Sequence, residues 1–140
     1  MMKKKILAIQ GSSLSKVSVE TDTTLLLALE AQKRGYQIYY YEPHNLSFLN
    51  GKVIARCSQI TFFENKNKFY KINKKLNFDL SKTKVLLIRN EPPFDQQYIN
   101  STFILEHIAR KIKIINHPKS IREVPEKLFS IRLIKYMPST

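Results

Sequence analysis

The chain has 140 residues, 43% of them hydrophobic and 25% charged, with three glycines and six prolines. That is the size and composition of one folding domain, and it excludes wholesale disorder and a linker-like or collagen-like chain. No apolar run is long enough to cross a bilayer. Ile6 to Ile9 after the leading lysines is too short for the core of a secretory signal, so a cytoplasmic location without membrane contact is expected. Cys57 is the single cysteine, which excludes an internal disulfide and a cysteine-based zinc cluster.

The net charge is +13, from 24 Lys and Arg against 11 acids. Such an excess suits an anionic partner. It also suits an AT-rich genome, since the chain carries 18 Lys, 16 Ile and 9 Asn but 6 Arg. Surface lysine is the commonest solvated residue, so charge alone does not set the function.

Lys4 to Ile9 reads as a first strand, ended by the turn formers Gly11-Ser12-Ser13. A helix is expected from about Asp22 to Arg34. Asp22 or Thr21 can cap its free amides, Lys33 and Arg34 suit its negative end, and Gly35 stops it. Tyr36 to Tyr41 is a second strand, which makes a strand–helix–strand crossover unit. Asn50-Gly51 between Leu46–Leu49 and Lys52–Cys57 marks a tight hairpin inserted after that unit, because both turn residues tolerate positive φ.

From Glu64 to Lys84 the chain turns polar, with seven lysines interrupted by Phe69, Tyr70, Ile72, Leu76, Phe78 and Leu80. It reads as a nucleic-acid strip or as a solvated connection pinned to the core by its apolar residues. The second reading is preferred, since single-strand binders present aromatics with arginine assistance and this stretch has no arginine. Lys84 to Ile88 is a buried parallel strand running into Arg89-Asn90-Glu91-Pro92-Pro93-Phe94-Asp95. A helix from about Asp95 to Lys111 follows, with Ile99, Phe103, Ile104 and Ile108 at helical spacing. Then come a short strand at Lys113–Asn116, a break at His117-Pro118, and one or two helical turns between Ile121 and Ile134.

The elements define an α/β fold with a Rossmann-like, open, mainly parallel sheet and an inserted β-hairpin. Ligands of such sheets bind at the carboxyl ends of the strands, which directs attention to the loops 10–24, 89–95 and 116–127. Arg89 and Glu91 leave a buried strand into a segment stiffened by two prolines, as a pre-organised small-ligand site would require, or else they pair with each other. Asp22 and Thr23 read as a helix cap or as a ligand contact at the helix amino terminus. No G-x-G-x-x-G or G-x-x-x-x-G-K-[ST] is present. The acids are scattered, and His44, His107 and His117 lack metal-ligand spacing. Cys57 has no partner histidine pattern, so no catalytic centre is evident.

Taken in order, several segments resemble the amino-terminal domain of bacterial glutathione synthetase. They are Asp22-Thr23-Thr24, Leu29-Glu30-Ala31-Gln32-Lys33-Arg34-Gly35-Tyr36, Asn50-Gly51, Arg89 to Asp95, and Glu126-Lys127-Leu128-Phe129. The resemblance runs over nearly the whole chain and implies an ATP-grasp ligase, whose pre-ATP-grasp domain this would be. Such a ligase joins γ-glutamylcysteine to glycine with ATP and Mg²⁺ through an acyl phosphate. It implies Lys127 at ATP, and Asp22, Thr23, Arg89 and Glu91 toward the peptide substrate. Residues 1–124 would be the substrate domain and 125–140 the start of a linker into ATP-grasp subdomains. Those subdomains would carry the catalytic residues, most of the contacts to ATP and Mg²⁺, and a homo-oligomeric habit. This chain alone would be inactive. One departure from the family pattern is Gln10-Gly11-Ser12-Ser13, where an aspartate-proline pair is usual. Two further readings compete: a small basic nucleic-acid-binding module, and a standalone partner of a separate ATP-grasp chain.

Overall fold

The structure, a computed structural model, describes residues 4–91 and 95–123. Its elements are β1 (Lys5–Gln10), α1 (Thr23–Lys33), β2 (Tyr36–Tyr41), β3 (Leu46–Leu49), β4 (Lys52–Phe62), β5 (Tyr70–Asp79), β6 (Val85–Ile88), α2 (Gln96–Glu106), β7 (Lys113–Ile115) and α3 (Pro118–Glu123). Strands β2, β1, β6 and β7 lie side by side and are parallel. Antiparallel pairing comes from the insertion: β4 pairs with β2 through its second half, with β3 through its first half, and with β5 along its other edge. The α/β, Rossmann-like sheet is therefore present, extended on one side by an antiparallel ribbon.

Side chains alternate across the sheet with period two, and the two helices cover opposite faces. Leu7, Ile9, Ile38, Tyr40 and Leu87 pack with Leu25 and Ala28 of α1. Ala8, Tyr39, Tyr41, Leu86 and Ile88 pack with Leu105 of α2. Ile9, Ile38 and Leu86 are fully buried, each worth about 1.5–3 kcal/mol relative to exposure.

The punctuation of α1 is as the sequence indicates. The Asp22 carboxylate accepts from the Leu25 amide at 3.2 Å, and Gly35 has φ +88°. Asn50 and Gly51 turn the β3–β4 hairpin with φ of 52° and 74°, the left-handed pair a two-residue hairpin demands. Helix α2 is shorter than its apolar spacing suggests. After Glu106 the chain continues in tighter turns, with the Ile108 and Ala109 amides donating to Leu105 and Glu106 carbonyls, so Ile108 and Ile112 stay buried without a continuous helix. Strand β7 ends at Ile115, just ahead of the expected break at His117-Pro118, and helix α3 begins at Pro118, which serves as its first residue; the rest of the expected 121–134 helical segment, like the 125–140 linker, lies outside the described residues.

The polar stretch 64–84 is not a solvated connection. Its middle is the ten-residue edge strand β5, although its apolar residues do pin it, Leu76 and Phe78 on the α2 face and Phe69 and Tyr70 on the α1 face.

Candidate functional site

The chain leaves β1 toward β2 on one side and leaves β6 toward β7 on the other, with α1 and α2 on opposite faces. This reversal places a crevice between the carboxyl ends of β1 and β6, where open α/β sheets take ligands. A hollow of about 250 Å³ lies there, lined by the loop after β1 (Ser12, Ser13, Lys16), the start of α1 (Asp22, Thr23, Thr24), Tyr40 at the end of β2, and Arg89 and Glu91 beyond β6. A second hollow of about 170 Å³ shares Ser12, Ser13, Lys16 and Glu91 with it and continues past Asn90 to Glu42, His44, Asp95 and Tyr98.

Asp22, Thr23, Arg89 and Glu91 thus line one cavity. Asp22 is the helix cap and a cavity residue at once. Arg89 and Glu91 do not pair with each other: the Arg89 Nε donates to Thr24 Oγ1 at 3.1 Å, and neither residue is in an ion pair among the described residues. Lys127 lies outside the described residues, and no described residue of the loop after β7 lines either hollow.

Ser12, Lys16, Thr24 and Tyr40 also line the site; the first three fall in the 10–24 loop that the sequence indicates, but none of the four is singled out there as a site residue. Ser12 joins the two loops: its hydroxyl accepts from the Glu91 amide at 2.9 Å, and its carbonyl accepts from the Tyr40 hydroxyl. Burial pushes the Tyr40 hydroxyl pKa well up, and the Glu42, Asp22 and Glu91 carboxylates push it further, so it stays protonated and donates. Gly11 is where Tyr40 needs room, since a Cβ there would meet the Tyr40 oxygen at 2.1 Å.

The charges are distributed unevenly. Of the acids among the described residues, Glu20, Glu30, Glu64, Glu106 and Glu123 are paired with lysine or arginine. Four of the remaining five, Asp22, Glu42, Glu91 and Asp95, line the crevice together with the unpaired Lys16 and Arg89. In a chain of net charge +13, the crevice therefore offers unpaired charges of both signs, an arrangement suited to a ligand that also carries both. Among the described residues no group of three or more His, Cys, Asp or Glu could hold a metal ion. Cys57 is buried and its thiol is pushed up to about 12 by that burial, which makes it inert.

An open α/β sheet with a charged crevice at its switch point defines a Rossmann-like domain. Residues 6–122 match the family model described as prokaryotic glutathione synthetase, N-terminal domain. The chain is 42% identical over 139 residues to a glutathione synthetase of Mesorhizobium japonicum, covering 99% of this chain and 44% of that one. It is 37% identical to the glutathione synthetase of Agrobacterium fabrum, covering 100% of this chain and 44% of that one, and 34% identical to that of Escherichia coli O6:H1, covering 96% and 43%. The chain belongs to the prokaryotic glutathione synthetase amino-terminal domain family. It spans less than half the length of these relatives.

Proposed function

We propose that this chain is the substrate-binding, amino-terminal part of a glutathione synthase, a carbon–nitrogen ligase that joins γ-glutamylcysteine to glycine with ATP. The observation that carries the reading is the Arg89 guanidinium, held by Thr24 and free of any carboxylate among the described residues, at the crevice where the family match and the strand ends coincide. γ-Glutamylcysteine offers one ammonium and two carboxylates. Arg89, Lys16 and the amino terminus of α1 suit a carboxylate; Glu42, Glu91 and Asp95 suit the ammonium. Asp22 and Thr23 complete the wall on the α1 side.

ATP and Mg²⁺ belong, on this reading, chiefly to the ATP-grasp part that makes up the remaining length of the relatives. Lys127, within Glu126-Lys127-Leu128-Phe129, is the residue of this chain assigned to ATP. The chain by itself makes no glutathione, and the complete enzyme is a cytoplasmic homo-oligomer. No helix among the described residues is long and apolar enough to cross a membrane. The packing of Phe69, Tyr70 and Phe78 on the two cores supports a partner other than nucleic acid, since single-strand binders offer aromatic rings to bases.

Titration calorimetry of γ-glutamylcysteine into the purified chain tests the reading. The expected result is saturable binding that Arg89→Ala weakens roughly tenfold or more, the usual worth of a charge-assisted hydrogen bond. Absence of binding at millimolar ligand contradicts it. In the complete enzyme, Lys127→Ala is expected to remove most ligase activity, and wild-type turnover would remove the ATP assignment.

A further inference from the structure

The Gln10–Ser13 segment at the end of β1 carries a role that the binding of substrate does not itself explain. Gln10 is the last residue of β1 and is fully buried. A buried primary amide must find partners for both its donor and acceptor atoms. Gln10 does so from three elements. Its Oε1 accepts from the Tyr41 hydroxyl of β2 at 3.0 Å, and its Nε2 donates to Asn90 Oδ1 at 3.0 Å and to Ser101 Oγ of α2 at 3.2 Å. Its carbonyl also accepts from the Arg89 amide at 2.7 Å. One residue therefore grips Arg89 by the backbone and Asn90 by the side chain, while Ser12, two residues on, holds the Glu91 amide.

We propose that Gln10 is a positioning residue for the crevice: through Asn90 it fixes the turn that presents Arg89 and Glu91. Being fully buried, it cannot touch a ligand itself. The amide is suited to this because it donates to the turn and accepts from β2 simultaneously. A carboxylate would accept only, and an apolar side chain would leave Asn90 Oδ1 and the Tyr41 hydroxyl without this partner. Placement of the guanidinium is then settled before ligand arrives, which lowers the ordering cost of binding. The inference deepens the proposed substrate reading and rests on it for the identity of the ligand, but not for the geometry.

The test compares Gln10→Met, which removes the amide, and Asn90→Ala, which cuts the link to the turn from the other side, with Gln32→Leu. Gln32 makes a comparable pair of bonds to the Phe62 backbone, at 3.0 and 2.7 Å, outside the residues that line the crevice. Two readouts are taken: amide hydrogen exchange at Arg89 and Glu91, and the Kd for γ-glutamylcysteine. Expected is faster exchange at Arg89 and Glu91 in Asn90→Ala and Gln10→Met, with Kd raised about fivefold to tenfold. Gln32→Leu should lower Tm comparably while leaving both readouts at wild type. If Gln10→Met does not fold, Asn90→Ala alone decides. Unchanged exchange at both amides in Asn90→Ala overturns the proposal, as does loosening that Gln32→Leu reproduces. If the wild-type chain fails to bind γ-glutamylcysteine but Asn90→Ala still loosens both amides, the positioning role stands and the substrate reading falls.

Discussion

Arg89 shows how little of a site is written locally. Its charge and its place after a buried strand are legible, as are Glu91 and the Asp22-Thr23 helix start. That it donates to Thr24, 65 positions away in the chain, is not. Ser12 and Lys16 lie in the 10–24 loop that the sequence indicates, but that they and Tyr40 share one hollow with Arg89 follows only from two loops meeting. Gly11 supplies a sharper residue-scale test: Gly11→Ala puts a methyl at 2.1 Å from the Tyr40 oxygen. The expected cost is about 1–3 kcal/mol, as for overpacking elsewhere, read as a fall in urea midpoint; an unchanged midpoint would mean that Tyr40 gives way freely. Cys57 gives a second. With its thiol pushed up to about 12 and its side chain buried, it should resist a thiol reagent at neutral pH in the native chain and react once urea unfolds it.

At the scale of elements, β1, α1, β2, the hairpin and β6 are legible because each has local punctuation: a cap at Asp22, a stop at Gly35, a left-handed Asn50-Gly51 pair. Strand β5 is not, and the reason is its bulge. Tyr70 and Ile72 sit opposite Phe62 and Ile60, whereas Leu76 and Phe78 sit opposite Cys57 and Ala55. The register shift between Gln59 and Ile60 moves the apolar residues from the α1 face to the α2 face. The outward positions carry lysine, which reads as a solvated segment and also guards an open edge against pairing with another chain. Replacing Lys71, Lys74 and Lys75 with threonine should therefore promote concentration-dependent association, visible by light scattering; a monomer at all concentrations would refute the guarding role. Helix α3 is held differently. Arg122 pairs with Glu106 at 2.5 Å and lies over the Phe103 ring, and the hydrogen bond from Arg122 holds the Glu106 carboxyl below its ordinary value against a small desolvation penalty. A carboxyl lowered on folding contributes stability that is present above its unfolded value and lost as pH falls through its folded one. Docking of α3 should accordingly weaken as pH is lowered below about 4.5. Hydrogen exchange across 118–123 would report it, and Glu106→Gln should abolish that pH dependence.

For the whole molecule, the large positive charge is a weak guide, because lysines spread over a solvated surface and an edge strand account for much of it. The informative charges are the acids left unpaired among the described residues, four of which line the crevice at the switch point of the sheet beside Lys16 and Arg89. Fold class was readable because crossover punctuation and buried strands leave local marks. The family was readable because Arg89 to Asp95 and the α1 segment stand in order along the chain. The crevice required the topology, which brings residues 12–24 and 89–91 to one place. The most direct test of the central claim is a titration of the isotope-labelled chain with γ-glutamylcysteine, followed by amide chemical shifts. Saturable shifts are expected, concentrated at Ser12, Lys16, Asp22 to Thr24 and Arg89 to Glu91, with β5 unmoved. Shifts confined to β5 and its lysines, or none at millimolar ligand, would contradict it.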